Sequence, residues 1–257
     1  MNRTLHVHLL PSLVQPEELA DKTVVVIDVL RATTTIVYAL AAGASEVIPC
    51  LEIDEARNAA AAKPGTAILG GERGGKLIAG FDLGNSPTEY TREKVGGKTV
   101  VFTTTNGTRA MMRCRSARRV LIGSFVNFSA LCRELASEPA VEIVCAGTDG
   151  EVTREDTLLA GAIVEELTRQ DPHPGPLPEG EGEIQFNDQA EIAADAWRAA
   201  IGTLTGQSPL SSAIRHSRGG RNLIEIGQEN DIDIAAQLDK FDIVPELDLP
   251  NWRIRIP

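Results

Sequence analysis

Residues suited to phosphate chemistry fall in five short polar clusters, in a chain otherwise dominated by Val, Ile, Leu and Ala. The first, DVLRATTT at 28–35, closes a strongly apolar run. An Asp at the end of a buried strand faces the crevice where α/β sheets bind ligands, and its hard oxygens suit Mg²⁺. Arg31 brings a planar fork that grips phosphate or carboxylate through paired hydrogen bonds. Thr33 and Thr34 stand where a helix would begin, and the free N–H groups of a first turn attract anions. The plainer reading keeps Asp28 in a turn and makes the threonines caps.

The second cluster, GGERGG at 70–75, joins glycines that let backbone approach a ligand to Glu72, a candidate metal ligand, and Arg73, a candidate substrate contact. It also fits a Gly-rich loop with a surface ion pair. The third, GFDLGNSP at 80–87, offers Asn85 and Ser86 to a substrate, although Ser86-Pro87 equally spells a helix start. In the fourth, TTTNGT at 103–108, Thr105, Asn106, Gly107 and Thr108 would form a cradle of hydroxyl and N–H donors. Asn-Gly alone reads as a hairpin turn, but the pattern that follows is helical. The fifth is GTDG at 147–150 followed by TRED at 153–156. Thr153 and Asp156 fit a capping box, and Glu155 and Asp156 fit equally well as carboxylates reaching a cation. Asn127, near another helix start, is a further donor.

The residues so gathered suit metal-assisted phosphoryl transfer on a small anionic phosphorylated substrate. Asp28, Arg31 and Asn106 are expected to be catalytic, with Asp28 either nucleophile or metal ligand. Thr33, Thr34, Arg73, Asn85, Ser86, Thr105, Gly107, Thr108 and Asn127 are expected to bind substrate. Asp28, Glu72 and Asp156 are expected to hold Mg²⁺. Of the four histidines, His6, His8, His173 and His216, only His216 has a place suited to acid or base work, and it reads more simply as a surface residue.

Positioning these clusters requires strands that end beside one another. Apolar runs at 24–27, 100–103, 120–122 and 141–145 read as buried strands, with helical patterns after them at 33–42, 108–114, 129–136 and 155–168. Shorter strands are expected at 46–49 and 67–69, and helices at 188–201 and 231–238. Such alternation predicts an α/β fold of three layers, a mostly parallel sheet flanked by helices. The 257 residues suffice for one unit over 1–257, or for two fused α/β subdomains, 1–125 and 126–257. The Pro-, Gly- and Glu-rich stretch 171–183 reads as a flexible insert.

Composition limits the partners. A net charge of −11 argues against nucleic acid, which needs a basic face. An acidic protein that takes an anion must build its positive site locally. The absence of an apolar run of about 18 residues, and of any leader-like start, leads to the expectation of a cytoplasmic protein without membrane contact. The four cysteines lack paired metal-ligand spacing and read as small buried residues of a reducing compartment. The composition is compatible with a homo-oligomer.

At these motifs the chain resembles the 2-phosphosulfolactate phosphatase family. VVIDVLRATTT, GGERGG with GFDLGNSP, TTTNGT, and AGTDG with TREDTLLAG carry the resemblance, joined by 217–227, Asp231-Ile232-Asp233 and Val244-Pro245. It implies a three-layer α/β fold and Mg²⁺-dependent hydrolysis of the phosphate ester of a 2-hydroxy acid bearing a sulfonate, a reaction of coenzyme M synthesis. Two rivals bear on this. A haloacid-dehalogenase-type phosphatase wants a second Asp two residues after the first, where this chain has Leu30. A phosphate- or nucleotide-sensing binding protein without turnover would use the same Gly-rich strand ends, though no G-x-x-x-x-G-K-[ST] run is present.

Overall fold

The structure, a computed structural model, describes residues 3–169, 184–203 and 209–257. The expected insert 171–183 and His173 lie outside the described residues. In chain order the elements are β1 (Thr4–His8), β2 (Thr23–Ile27), α1 (Ala32–Ala41), β3 (Glu46–Cys50), α2 (Ile53–Ala61), β4 (Ala67–Arg73) and β5 (Lys76–Leu77). Next come α3 (Arg92–Val95), β6 (Thr99–Thr103), α4 (Asn106–Arg113), β7 (Arg119–Gly123), α5 (Phe128–Leu135), β8 (Ala140–Cys145) and α6 (Arg154–Arg169). The chain closes with β9 (Gln185–Phe186), α7 (Asp188–Thr203), α8 (Pro209–Arg215), α9 (Arg218–Glu225), α10 (Asn230–Ala235), β10 (Glu246–Asp248) and β11 (Arg253–Arg255).

Hydrophobic runs dictate the middle layer. All five residues of β2, TVVVI, are buried, as expected of a β-branched strand covered on both faces. Its side chains alternate: Val25 and Ile27 pack among α5, α6 and α7, whereas Val24 and Val26 pack among α1 and α4. Few aromatics contribute, although Phe125 and Trp197 stack at 6.1 Å between ring centroids on the α7 side. The four cysteines are buried free thiols.

The sheet order is β5-β4-β6-β3-β11-β10-β7-β2-β8-β1-β9. Two parallel blocks are visible, β4-β6-β3 and β7-β2-β8-β1-β9, so the fold is the expected three-layer α/β arrangement. The blocks interleave in sequence, β7 pairing with β2 across the first half of the chain. Between them lies the antiparallel hairpin of β10 and β11. It touches each block at one register position, Glu246 opposite Leu121 and Ile254 opposite Val47. Buried Glu46 anchors it by accepting bonds from Arg253 at 3.1 Å and Arg255 at 2.5 Å, with Lys63 at 2.9 Å. Burial opposes the charge on Glu46, but the hydrogen bonds from Lys63 and Arg255 outweigh it and hold the carboxyl down at about 2.

Two local expectations change. GGERGG is not a loop: Gly70–Arg73 continue β4, and the turn comes at Gly74 and Gly75. The helix expected over 231–238 is shorter, ending at Ala235.

Helices α6 and α7 pack closely enough that a Cβ added at Gly161 would sit 2.0 Å from the Ala193 carbonyl oxygen. Backbone on both sides leaves little room to yield. Gly161→Ala should therefore lose about 1–3 kcal/mol of stability through overpacking, despite alanine's better helix propensity. Urea denaturation checks this; an unchanged or raised midpoint would show that the two helices have slack.

Candidate active site

Asp28 follows the last residue of β2, and the turn into α1 is closed by the threonines behind it. The Thr33 hydroxyl donates to the Asp28 carbonyl at 2.9 Å and accepts from the Asp28 N–H at 3.1 Å. Thr34 Oγ1 donates to the Val29 carbonyl and meets Ser124 Oγ, each at 2.8 Å. Thr35 Oγ1 donates to the Asn85 carbonyl at 2.9 Å, tying a second loop to the same helix start. The hydroxyls of Thr33 and Thr34 are thus committed to shaping the strand end. Both residues are fully buried, and neither lines the cavity at the carboxyl ends of the strands.

The carboxyl ends of both parallel blocks meet at a cavity of about 360 Å³. Asp28 and Arg31 face it from the turn after β2, Glu72 from the end of β4, Gly75 from the β4–β5 turn, Thr104 and Thr105 from the turn after β6, and Asn106 from the start of α4. Asn85 lines it, as do Thr148 and Asp149 after β8. The structure therefore brings together Asp28, Arg31, Asn106, Glu72, Asn85 and Thr105 from the sequence-predicted set. Gly107 sits directly behind: a Cβ there would lie 2.9 Å from Asp28 Oδ2 and 2.7 Å from Ala32 Cβ.

Other predicted residues stand elsewhere. Thr108 is buried and donates to the Cys50 carbonyl at 3.3 Å. Ser86 does not cap the short turn that follows it and instead donates to Asp231 Oδ1 at 2.6 Å. Arg73 donates to the carbonyls of Glu72 and Leu51 and lines a separate open pocket beside α2. Asn127 is buried and braces the turn after β7, accepting from the Ser124 N–H at 2.9 Å and donating to the Ile122 and Ile243 carbonyls. Asp156 forms no capping box: its two oxygens accept from the N–H groups of Val29 at 2.8 Å and Gly147 at 3.0 Å. His216 is exposed, its Nδ1 2.8 Å from the Ser212 carbonyl oxygen.

Sequence reasoning left out the wall that α9 supplies and the support that α10 gives Arg31. Gly219, Asn222 and Glu225 face the cavity, and Arg218 at the start of α9 pairs with Asp149 at 3.2 Å and with Glu151. Asp231 accepts from Arg31 Nη1 at 2.7 Å, and Gln228 Oε1 accepts from the same nitrogen. The Leu30–Arg31 peptide is cis. Only the motif resemblance at 217–227 and Asp231-Ile232-Asp233 pointed to this region, because its residues show no strand-end pattern.

Three carboxyls share one low-dielectric region. Burial, together with Glu155 and Glu72, pushes the Asp28 carboxyl up to about 7, against the pull of the Ala32 and Gly107 N–H groups. Burial also raises Glu155 and Asp156, and Glu155 and Asp28 raise Asp156 further. Glu155 Oε2 and Asn85 Oδ1 are buried without a hydrogen-bond partner among the described residues. No three His, Cys, Asp or Glu side chains among those residues converge closely enough to hold a metal by themselves. The donors nevertheless fit a hard cation that keeps water in its shell: oxygen ligands only, and Asp28 and Glu72 facing one cavity.

Comparison with known proteins gives the class first: the chain is a phosphoric monoester hydrolase on an α/β scaffold. The model of the 2-phosphosulpholactate phosphatase family matches residues 8–249, and the chain belongs to that family. A protein of Symbiobacterium thermophilum named "Probable 2-phosphosulfolactate phosphatase" is 44% identical over 231 residues, covering 89% of this chain and 92% of its own. One of Thermotoga maritima with the same name is 42% identical over 226 residues, 88% of this chain and 89% of its own. Another of Deinococcus radiodurans is 40% identical over 259 residues, 98% of each. Among the described residues no helix is long and apolar enough to cross a membrane.

Because the Asp28 carboxyl rises from 3.8 to about 7 on folding, the folded chain keeps a proton that the unfolded chain has lost between those values. Its contribution to stability is full at low pH and falls as pH climbs through that window. Asp28→Asn should flatten the fall and raise the metal-free melting temperature at pH 8. Thermal melts in a chelator from pH 4.5 to 8 check this; superimposable profiles for variant and wild type would show that Asp28 is not the strained carboxyl.

Proposed function

We propose that the protein hydrolyses 2-phosphosulfolactate to sulfolactate and phosphate with Mg²⁺, in the cytoplasm. The observation that carries the reading is that Asp28 and Arg31 line one cavity together with the first turn of α4, which packs against the Asp28 carboxylate. The substrate class comes from the family and its named relatives, and Arg31 with the Thr105 and Asn106 side chains supplies the cavity's donors for a phosphate once a cation offsets its carboxylates. Free, buried cysteines suit a reducing compartment.

Mg²⁺, when bound, would neutralise phosphoryl oxygens as a Lewis acid, held by Asp28 and Glu72 with water and substrate completing its shell. The chain's own residues do the rest. Arg31 grips the non-bridging oxygens through the guanidinium donors left over from Asp231 and Gln228. Thr105, Asn106 and the first-turn N–H groups of α4 other than that of Gly107, which Asp28 takes, offer hydrogen bonds where charge builds in the transition state. Asp28, aimed by Ala32 and Gly107, orients the attacking water by accepting its hydrogen bond.

Phosphate release from 2-phosphosulfolactate, beside a panel of other 2-phospho acids, tests this. Release that needs Mg²⁺ and stops with a chelator is expected. Tight substrate binding with no release under any cation would replace the hydrolase with a binding protein. Gly107→Ala should cut kcat about tenfold or more, because its methyl would displace the Asp28 carboxylate; wild-type turnover in that variant would remove Asp28 from the reaction.

A further inference from the structure

We propose that Asp231 is a positioning residue of this site, fixing the guanidinium of Arg31 so that its remaining N–H groups face the cavity. The inference rests on the phosphate reading of that cavity. Asp231 stands 200 positions from Arg31 in the chain and 145 from Ser86, yet its two oxygens divide between them. Oδ2 accepts from Arg31 Nη1 at 2.7 Å, and Oδ1 accepts from Ser86 Oγ at 2.6 Å. The residues are 3%, 4% and 8% exposed for Asp231, Arg31 and Ser86, so water competes little for these bonds. Gln228 Oε1 takes a second bond from the same Nη1, and the Gly75 carbonyl oxygen lies 3.4 Å from Nη2. With Nη1 held twice and Nη2 touching the Gly75 carbonyl, Nε has no partner among the described residues and stays, with the second Nη2 hydrogen, for a ligand.

Stability alone is a weak reason for such a pair. Desolvating both ions offsets most of their attraction, and apolar residues of similar volume serve a fold as well or better. What the pair supplies is orientation: five donors in a rigid plane, held before the ligand arrives. The same carboxylate also fixes a second wall. Ser86 is the neighbour of Asn85, which lines the cavity with its Oδ1 unpartnered among the described residues. The Asn85 backbone is pinned in turn by Thr35 at 2.9 Å. Asp231 therefore carries the placement of α10 into two groups that meet the substrate.

Chemical rescue in the full-length enzyme tests the role. Arg31→Ala should lower hydrolysis of 2-phosphosulfolactate about a hundredfold or more. Free guanidinium should restore at least about tenfold of that while Asp231 still forms its seat, and less than about twofold in Arg31→Ala/Asp231→Asn. Equal rescue in both backgrounds would overturn the positioning role and leave the phosphate site standing. Full activity of Arg31→Ala by itself would overturn the reading of the site. If circular dichroism shows the double variant unfolded, Asp231→Asn alone decides. A rise of about tenfold in both KM and the inhibition constant of inorganic phosphate supports positioning. Unchanged phosphate inhibition overturns it.

Discussion

A carboxyl group buried at a strand end is the constraint around which the rest of this molecule is arranged. Water would stabilise the ionised form of Asp28, and the fold takes most of that water away. What replaces it is backbone: the Ala32 N–H at the start of α1 and the N–H of Gly107 in α4. Both must be held in place, which explains why Thr33, Thr34 and Thr35 turn their hydroxyls to neighbouring loops and strand ends. It also explains Gly107, whose missing side chain is the space the carboxylate occupies.

The charge around the cavity follows from the same constraint. Asp28, Glu72, Asp149 and Glu225 face it against Arg31, and Arg31 is already matched by Asp231. A polyanionic substrate meets too few positive groups here unless a divalent cation joins them. The chain's net charge of −11 makes that local requirement sharper. Four carboxylates facing one matched guanidinium is the imbalance that the proposed Mg²⁺ would offset.

Much of this was legible in the sequence where hydrophobic pattern and chain order carry the information. The strands around Val24, Val100, Val120 and Val141 lie where their apolar runs put them, and Asp28 and Asn106 share the cavity as strand-end residues should. Hydroxyl groups were harder. A threonine at a helix start serves a ligand or a neighbouring carbonyl equally well in one dimension, and in Thr33 and Thr34 the carbonyl has it. Asn127 and Asp156 followed the same logic, turning inward to backbone N–H and carbonyl groups. Asp231 and Gln228 were out of reach for a different reason: they meet Arg31 only through tertiary packing of α9 and α10. The β10–β11 hairpin was missed because three-residue strands with charged ends carry almost no periodicity.

That hairpin has a consequence for how the chain acquires its shape. The strands that join the two parallel blocks come after every other described element in chain order. A ribosome releasing the chain from its N-terminus would deliver both blocks before the segment that stitches them. Until Glu246 and Ile254 emerge, the β3 and β7 edges would stay bare, with their hydrogen-bonding groups open to other chains. Joining of the two blocks therefore waits for the hairpin, and the interval before it pairs is when the open β3 and β7 edges are most exposed to wrong partners.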